Sequence, residues 1–357
     1  MLNIGIVGLP NVGKSTLFSA LTKKQVDCEN FPFCTIEPNV GVVEVPDARL
    51  ARLAEISKTT NLIPTAIEFV DIAGLVKGAH KGEGLGNKFL TNIRETDMIL
   101  HVVRSFTDTD VHHVDGSVDA VRDVEIIELE LIMADVVVVQ KRIDNLGRKM
   151  KAGASADEKF EMAALEKFDA VLTDGKLART ADLLEDERRT IKGLNLLTDK
   201  EVVYVVNVSE EDAKNPNWKS PLGEERYAIP ICVSIEAEIA SLPEEDAKMF
   251  LEEYGLEESG LDRVIKACYK ALNLLTFFTS GEKETRAWTI PVGARAPQAA
   301  GAIHTDFEKG FIRSETISYE DFLTCDGWSG ARDEGKLRVE GKDYVMVDGD
   351  VCLFRFN

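Results

Sequence analysis

Short apolar runs alternate with amphipathic segments along much of the chain. The runs typical of buried strands are Leu2–Val7, Ile67–Asp71, Met98–Val103, Val202–Val206 and Ile229–Val233. Segments with helical character lie between them. One of these helices, Lys14–Lys23, directly follows a turn formed by residues Gly8–Gly13. Alternating strands and helices predict an α/β fold, in which a mostly parallel sheet is covered by helices on both faces.

A change of pattern between about residues 118 and 200 predicts an inserted helical hairpin. Apolar residues recur at three- and four-residue intervals from Val124 to Val138, and a second charged, Ala-rich run covers Ala156–Leu172. Gly153 and Ser155 lie between the two runs. We interpret them as an antiparallel hairpin, in its tighter form a coiled coil. The alternative is two ordinary amphipathic helices.

The predicted tip of this hairpin carries five basic residues: Lys141, Arg142, Arg148, Lys149 and Lys151. The whole chain has a net charge of −20, which argues against a broad attraction to nucleic acid or anionic lipid. The cluster is therefore a local basic patch, either a contact for RNA or simply a solvated helix face. No apolar stretch is long enough for a membrane span, and the N-terminus does not resemble a signal peptide.

The pattern changes again after Leu275. Short strand-like pieces separated by Gly-containing turns follow, at Ala287–Ile290, Tyr344–Val347 and Cys352–Phe356. We predict a nucleotide-binding domain over residues 1–272 that contains the insert at 118–200, and a small α+β domain over 275–357. A chain of 357 residues is long enough for this organisation.

Residues Gly8–Ser15 match the phosphate-loop motif G-x₄-G-K-[ST] without a gap, between a predicted strand and a predicted helix. The glycines let successive N–H groups point at phosphate oxygens, and the helix N-terminus adds partial positive charge. We expect Lys14 to reach the β- and γ-phosphates, Ser15 to ligate Mg²⁺ and Thr16 to contact the α-phosphate. The nucleotide contacts expected from this loop are Asn11, Val12, Gly13, Lys14, Ser15 and Thr16.

Two further elements fit a Mg²⁺-dependent nucleotide hydrolase. Asp71 begins a D-x-x-G sequence at the end of a predicted strand, where it would hold Mg²⁺ through water and the Gly74 amide would contact the γ-phosphate. Thr35 lies between the two motifs, at the position expected for a Mg²⁺ ligand on a mobile loop.

The base-reading segment is Asn207-Val208-Ser209-Glu210, directly after the strand Val202–Val206. Guanine-specific relatives have N-K-x-D here, with an Asp that accepts from two guanine N–H groups. Asn207 would bond the N7 and N6 groups of adenine, and Val208 would pack on the base or bond it through its backbone. The longer Glu210 displaces the carboxylate that guanine needs. Ser234 lies in the last base-proximal loop.

These motifs together resemble the YchF family of Obg-related P-loop ATPases over essentially the whole chain. The matching segments are GLPNVGKST, NFPFCTIEPN, DIAGLVKGAHKGEGLGN, NVSE and GAIHTDFEKGFIRSETI. The resemblance implies a P-loop G domain, an inserted coiled coil and a C-terminal TGS domain with a ubiquitin-like β-grasp. It also implies ATP hydrolysis and association with the ribosome or its large subunit, in the cytoplasm.

The residue that activates water is not the usual glutamine, because Leu75 follows the D-x-x-G sequence. The resemblance suggests a histidine in a flexible loop instead. Its spacing favours His113 over His112, with Lys14 as the second catalytic residue, although both histidines could be ordinary loop residues. Asn11 occupies the position that helps to bind K⁺ in cation-dependent relatives.

The sequence therefore predicts an ATP-hydrolysing regulatory switch that binds ribosomes. One alternative is a GTPase of the same fold. Another is an adaptor gated by nucleotide, in which hydrolysis matters little. RNA binding through the hairpin tip or the TGS region is part of the hypothesis.

Overall fold

The computed structural model describes residues 2–23, 39–72, 85–106, 117–151, 153–191 and 193–357. Its strands are β1 (Asn3–Val7), β2 (Val40–Glu44), β3 (Leu62–Ile63), β4 (Ala66–Asp71), β5 (Met98–Arg104), β6 (Glu201–Asn207), β7 (Ala228–Ile231), β8 (Leu274–Ser280), β9 (Thr285–Pro291), β10 (Phe311–Ser318), β11 (Arg338–Glu340) and β12 (Asp350–Phe356).

The helices alternate with these strands in the first part of the chain. They are α1 (Lys14–Thr22), α2 (Ala48–Ser57), α3 (Leu85–Glu95), α4 (Ala120–Met150), α5 (Ala156–Thr173), α6 (Glu185–Thr190), α7 (Glu210–Lys214), α8 (Val233–Ile239), α9 (Glu244–Glu253), α10 (Gly260–Ala271), α11 (Ala296–Ile303), α12 (Thr305–Lys309), α13 (Tyr319–Thr324) and α14 (Trp328–Asp333). None of the helices within the described ranges combines the length and apolar character needed to cross a membrane.

The first sheet has the strand order β2-β4-β1-β5-β6-β7. Strands β1, β4, β5, β6 and β7 run parallel, and β2 pairs antiparallel with β4 at one edge. Every residue of β5 is buried, as expected for a central strand covered on both faces. The predicted mostly parallel α/β sheet is therefore confirmed. The strand predicted at Ile229–Val233 is shorter, because the chain turns after Ile231 and α8 begins at Val233.

The insert forms two long antiparallel helices, α4 and α5. Asp119 caps the start of α4, and Ser155 forms a capping box with Glu158 at the start of α5. Arg142 binds Glu161 across the hairpin at 2.5 Å. The polypeptide that returns from α5 is fixed to α4 by Asp135, whose buried carboxylate accepts from the backbone N–H groups of Leu197 and Thr198.

The base of the hairpin is attached to the first sheet through Glu128 of α4. Its carboxylate accepts from the Tyr204 hydroxyl at 2.7 Å and from the Arg226 guanidinium at 3.0 Å. The ring of His101 on β5 lies 5.5 Å from that of Tyr204. Burial lowers the pKa of His101 to about 4, so this histidine is neutral at pH 7.

The second sheet has the order β11-β10-β12-β8-β9-β3. One face packs against α11, and the other is covered by α2 through Leu50 and Leu53. Because β3 pairs with β9, the segment between β2 and β4 leaves the first sheet and joins the second. Arg49 strengthens this junction by binding Asp348 at 2.6 Å.

The prediction of a strand at Tyr344–Val347 is wrong. Val345 makes an isolated bridge with Arg295, and the N–H of Val347 donates to the carboxylate of Asp350. The Tyr344 hydroxyl binds the same carboxylate at 2.8 Å. Asp350 therefore holds this segment as a turn before β12, although its apolar residues are typical of a strand.

Candidate nucleotide-binding site

The phosphate loop lies at the carboxyl end of β1, where the backbone passes very close to its neighbours. A Cβ atom at Gly8 would lie 2.3 Å from the carbonyl oxygen of Val102, and one at Gly13 would lie 2.6 Å from Nδ2 of Asn207. Gly13 also has a φ of 103°, in the left-handed region that favours glycine. Both glycines of the motif are therefore required by the fold as well as by phosphate chemistry.

The N-terminus of α1 points its first N–H groups at the space enclosed by this loop. Gly13 occupies the N-cap position, where no side chain accepts a hydrogen bond from the helix. These N–H groups and the helix dipole favour an anionic ligand. Two other residues expected to contact the nucleotide differ in burial. Val12 is packed in the core, whereas the Thr16 side chain is exposed on the first turn of α1.

Lys14 is held at the same point. Its side chain is buried, and its ammonium group donates to the carbonyl oxygen of Leu9 at 2.9 Å. Burial lowers the pKa of Lys14, while the nearby charge of Asp71 acts in the opposite direction. A cation that is poorly solvated and only partly neutralised favours binding of phosphate oxygens beside it.

Asp71 lies at the end of β4, paired in register with Ile6 of β1. Burial raises the pKa of its carboxyl group, and Lys14 and a hydrogen bond from the Ser15 hydroxyl partly offset that effect. The two residues predicted from separate motifs, Ser15 and Asp71, therefore lie close together. A hydroxyl and a carboxylate side by side match the oxygen ligands that Mg²⁺ prefers, so these residues fit that ion.

Asn207 connects the phosphate loop to the segment after β7. Its buried side chain donates from Nδ2 to the carbonyl oxygen of Val12 at 3.0 Å and accepts at Oδ1 from the N–H of Val233 at 3.2 Å. The sequence analysis assigned this side chain to the base alone. One proton of its amide nitrogen and its carbonyl oxygen are engaged by the protein, so Asn207 also fixes the geometry of the site.

The structure places the Val208 side chain in the core, whereas one of its two expected roles was to pack on the base. Its side chain is 1% exposed and packs with Val103, Val124 and Leu222 below the insert. Its N–H donates to the carbonyl oxygen of Ile231 at 2.9 Å. These contacts occupy both the side chain and the N–H of Val208. Its carbonyl oxygen is the group that is left to bond a base.

Glu210 begins α7 and forms an ion pair with Lys214 at 2.6 Å, one turn further along the helix. Hydrogen bonding to Lys214 lowers the pKa of Glu210, so the carboxylate is ionised and paired. The Lys214 ammonium lies 3.6 Å from the centre of the Tyr254 ring. The sequence analysis missed both partners, although the four-residue spacing from Glu210 to Lys214 is a readable signal for an ion pair.

The remaining expected residues fall into two groups. Asn11 lies exposed in the loop with a left-handed φ of 63°, and Ser234 is exposed on the first turn of α8, where its hydroxyl contacts Cys232. Thr35, Gly74 and His113 lie outside the described residues, as do Leu75 and His112.

Two family models match the chain. Residues 3–141 match MMR_HSR1, described as a 50S ribosome-binding GTPase, and residues 274–357 match YchF-GTPase_C, described as a protein of unknown function. The chain is 54% identical to the ribosome-binding ATPase YchF of Escherichia coli O157:H7, covering 99% of this chain and 98% of that protein. Identity to the Bacillus subtilis protein of the same name is 51%, over 100% and 99% of the two chains.

A solved structure shares the whole architecture. The Schizosaccharomyces pombe YchF GTPase is 40% identical, with a TM-score of 0.87 over 99% of this chain and 97% of that one. The names of these proteins differ on the nucleotide, since the bacterial relatives are called ATPases and the solved structure a GTPase.

Replacing Asn207 with alanine is expected to weaken ATP binding by at least about tenfold, or roughly 1.4 kcal/mol, because two buried hydrogen bonds that position the loop are lost. Titration with a fluorescent ATP analogue measures the effect. The matched control is Asn217→Ala, which alters an exposed turn beyond α7. Wild-type affinity in Asn207→Ala would show that these bonds do not position the site.

Proposed function

Because the chain belongs to the YchF family, we propose that it is a Mg²⁺-dependent ATPase that hydrolyses ATP to ADP and phosphate and associates with the ribosome through its large subunit. The relatives named above are called ribosome-binding ATPases, and they match this chain over nearly its full length. The proposal assigns the same two properties to this protein.

One observation carries the catalytic part of the proposal. Lys14, Ser15 and Asp71 converge at the N-terminus of α1, in a space bounded by backbone that admits only glycine at two positions. The loop N–H groups and Lys14 bind the phosphates of the nucleotide and stabilise the negative charge that develops during phosphoryl transfer.

Ser15 and Asp71 hold Mg²⁺ in this proposal, with Asp71 acting through water and Thr35 as the third protein residue. When bound, the ion neutralises charge on the β- and γ-phosphates. Burial raises the pKa of the Asp71 carboxyl group, and the nearby ammonium group of Lys14 opposes that rise. Asn11 adds a K⁺ site beside the phosphates.

The preference for adenine is supported by Glu210. Guanine selectivity requires a carboxylate directed at two N–H groups of the base, whereas Glu210 is longer than Asp and is paired with Lys214 on the exposed surface of α7. An adenine base offers an acceptor at N1 and needs no such carboxylate. Asn207, the Val208 carbonyl oxygen and Ser234 remain as the proposed base contacts.

His113 is the proposed group that positions the attacking water, since Leu75 is apolar. Gly74 contributes its amide to the γ-phosphate. These assignments rest on motif spacing and on the family, because the residues lie outside the described part of the chain. Slow turnover without a partner follows, because the usual glutamine is missing.

Ribosome association is assigned to the hairpin tip, where contact with ribosomal RNA is expected. The five basic residues Lys141, Arg142, Arg148, Lys149 and Lys151 are all exposed at the end of α4. Arg142 is engaged by Glu161, so the lysines are the more available cations for phosphates. In this proposal the hairpin is a coiled coil and the C-terminal part is a TGS domain. A ribosome-bound ATPase acts in the cytoplasm.

Nucleotide choice is tested by competition. Unlabelled GTP in tenfold excess is expected to leave most labelled ATP bound to the wild type. Glu210→Asp is expected to raise the relative affinity for GTP by about tenfold, because it restores the shorter carboxylate. Glu211→Asp on the same exposed helix is the control. Val208→Lys is not combined with Glu210→Asp, because a lysine at this buried position would place a charge in the core.

Equal or tighter binding of GTP by the wild type would favour the GTPase alternative. Hydrolysis rates from the same preparations, taken in matched KCl and NaCl buffers, report on the proposed K⁺ site, which predicts faster turnover in KCl.

His113→Ala is expected to lower kcat by about 10- to 100-fold and to leave ATP affinity nearly unchanged, because the residue acts on water rather than on the bound nucleotide. His112→Ala is the matched control. Turnover is measured by phosphate release under saturating ATP. An unchanged kcat in His113→Ala would remove this residue from the mechanism.

Ribosome association is tested by co-sedimentation with purified large subunits, in ADP and in a non-hydrolysable ATP analogue. Changing Lys141, Lys149 and Lys151 together to Glu is expected to weaken binding by at least about tenfold and to reduce its dependence on salt. The control changes three other exposed lysines, Lys219, Lys270 and Lys342. Equal losses in both triple variants would contradict a role for the tip, and no sedimentation of the wild type would contradict the association itself.

A further inference from the structure

Strand β12 extends beyond its neighbour in the middle of the second sheet. On one side it pairs with β10 along its whole length, from Asp350 to Phe356. On the other side, among the described residues, the register joins Val351 to Phe278 of β8, and β8 then ends at Ser280. In a parallel pair with this register Leu353 lies opposite Ser280, so the last part of β12, Phe354–Phe356, presents one edge to a groove and not to a strand.

This groove has a volume of about 640 Å³ and aromatic walls. Trp288 of β9 forms one wall and is fixed by a hydrogen bond from its indole N–H to Thr279 at 2.9 Å. The opposite wall contains Phe307 of α12, which stacks on Phe356 with 3.7 Å between ring centres. Phe354 lies between the walls and is 7% exposed. The walls are held by contacts within the domain, so the groove exists before any partner binds.

Two other strand edges in the described part of the chain, those of β7 and β11, are protected against pairing. At the edge of the first sheet, β7 contains Pro230, which has no N–H group, and Arg263 donates to the carbonyl oxygen of the same residue at 3.0 Å. At the edge of the second sheet, β11 has only three residues and begins and ends with the paired charges Arg338 and Glu340. Such features prevent strand addition.

The end of β12 has the opposite character. It contains no proline, and the residues of β12 that line the groove are apolar. The side chain of Leu353 is 40% exposed and that of Phe356 is 43% exposed. Exposed aromatic side chains beside an uncovered strand edge are costly in water unless another molecule covers them at times.

We propose that this groove, bounded by Trp288, Phe307 and Phe356, is a docking site for an extended segment of a partner polypeptide that adds to the edge of β12. A strand edge offers alternating donors and acceptors, a repeat that another extended polypeptide backbone matches. Every second side chain of the segment would then face the aromatic walls, so large apolar residues at alternate positions are required.

Charge identifies the partner further. The turn between β8 and β9 brings Glu282, Lys283 and Glu284 to the rim of the groove. The two carboxylates outnumber the one lysine there, and the chain as a whole has a net charge of −20, so the groove favours a polypeptide that is basic outside its apolar positions. The site is separate from both the nucleotide-binding residues and the hairpin tip, so it does not rest on the proposed function.

The test begins with selection of phage-displayed random 12-residue peptides on the full-length protein. Selected peptides are expected to carry large apolar residues at alternate positions. Their affinity, measured by fluorescence anisotropy, is expected to fall at least about tenfold in Phe356→Asp. Ile312→Asp is the matched control, because Ile312 is 46% exposed on the neighbouring strand and does not line the groove.

Hydrogen exchange on the wild-type protein gives a second readout that needs no variant to fold. Peptide binding is expected to protect the amides of residues 354–356. Failure to select any peptide, protection elsewhere in the chain, or equal effects of Phe356→Asp and Ile312→Asp would each overturn the proposal. Protection of the same amides by a 12-nucleotide poly(U) RNA, and not by peptide, would overturn it as well.

Discussion

The arrangement of the nucleotide site depends on the close approach of the phosphate loop to the strands beside it. Gly8 passes the backbone of Val102 on β5, and Gly13 passes the side chain of Asn207 on β6, at distances that leave no room for a Cβ atom. Because these strands run parallel, their carboxyl ends meet at one edge of the sheet. Asn207 then joins the loop to Val233, so phosphate-binding and base-proximal segments are held as one unit.

The second sheet is physically continuous with this unit. The chain leaves β2, contributes α2 and β3 to the second sheet, and returns as β4, which ends at Asp71. Leu50 and Leu53 of α2 are buried against the second sheet, so separating the two parts would expose apolar surface. The Arg49 guanidinium adds an ion pair to Asp348 and lies 5.1 Å from the centre of the Phe278 ring. The C-terminal part is thus attached to the nucleotide-binding part through the segment that carries a proposed Mg²⁺ residue.

Strong local patterns were interpreted correctly, and weak or long-range ones were not. The pattern of apolar residues correctly predicted the strands of the first sheet and the long helices of the insert. Tyr344–Val347 was misread because Asp350 captures its polar groups, a contact that apolar content does not reveal. Val208 was predicted to pack on the base or to bond it through its backbone, and the packing of its side chain against Val103 and Leu222 leaves the backbone alternative. The pairing of β3 with β9 joins residues more than two hundred positions apart, which no local pattern indicates.

The sequence by itself determined the phosphate chemistry of this protein, because the loop, its lysine and its serine are contiguous and lie between a strand and a helix. It also predicts a departure from guanine selectivity, since Glu210 stands where guanine-specific relatives have an Asp. Only the tertiary structure decided that Asn207 is a structural bridge, that Ser15 and Asp71 lie close together, and that β12 extends past β8 into an aromatic groove. Each of these depends on residues that are distant along the chain and come together only when the sheets form, so chain order could not reveal them.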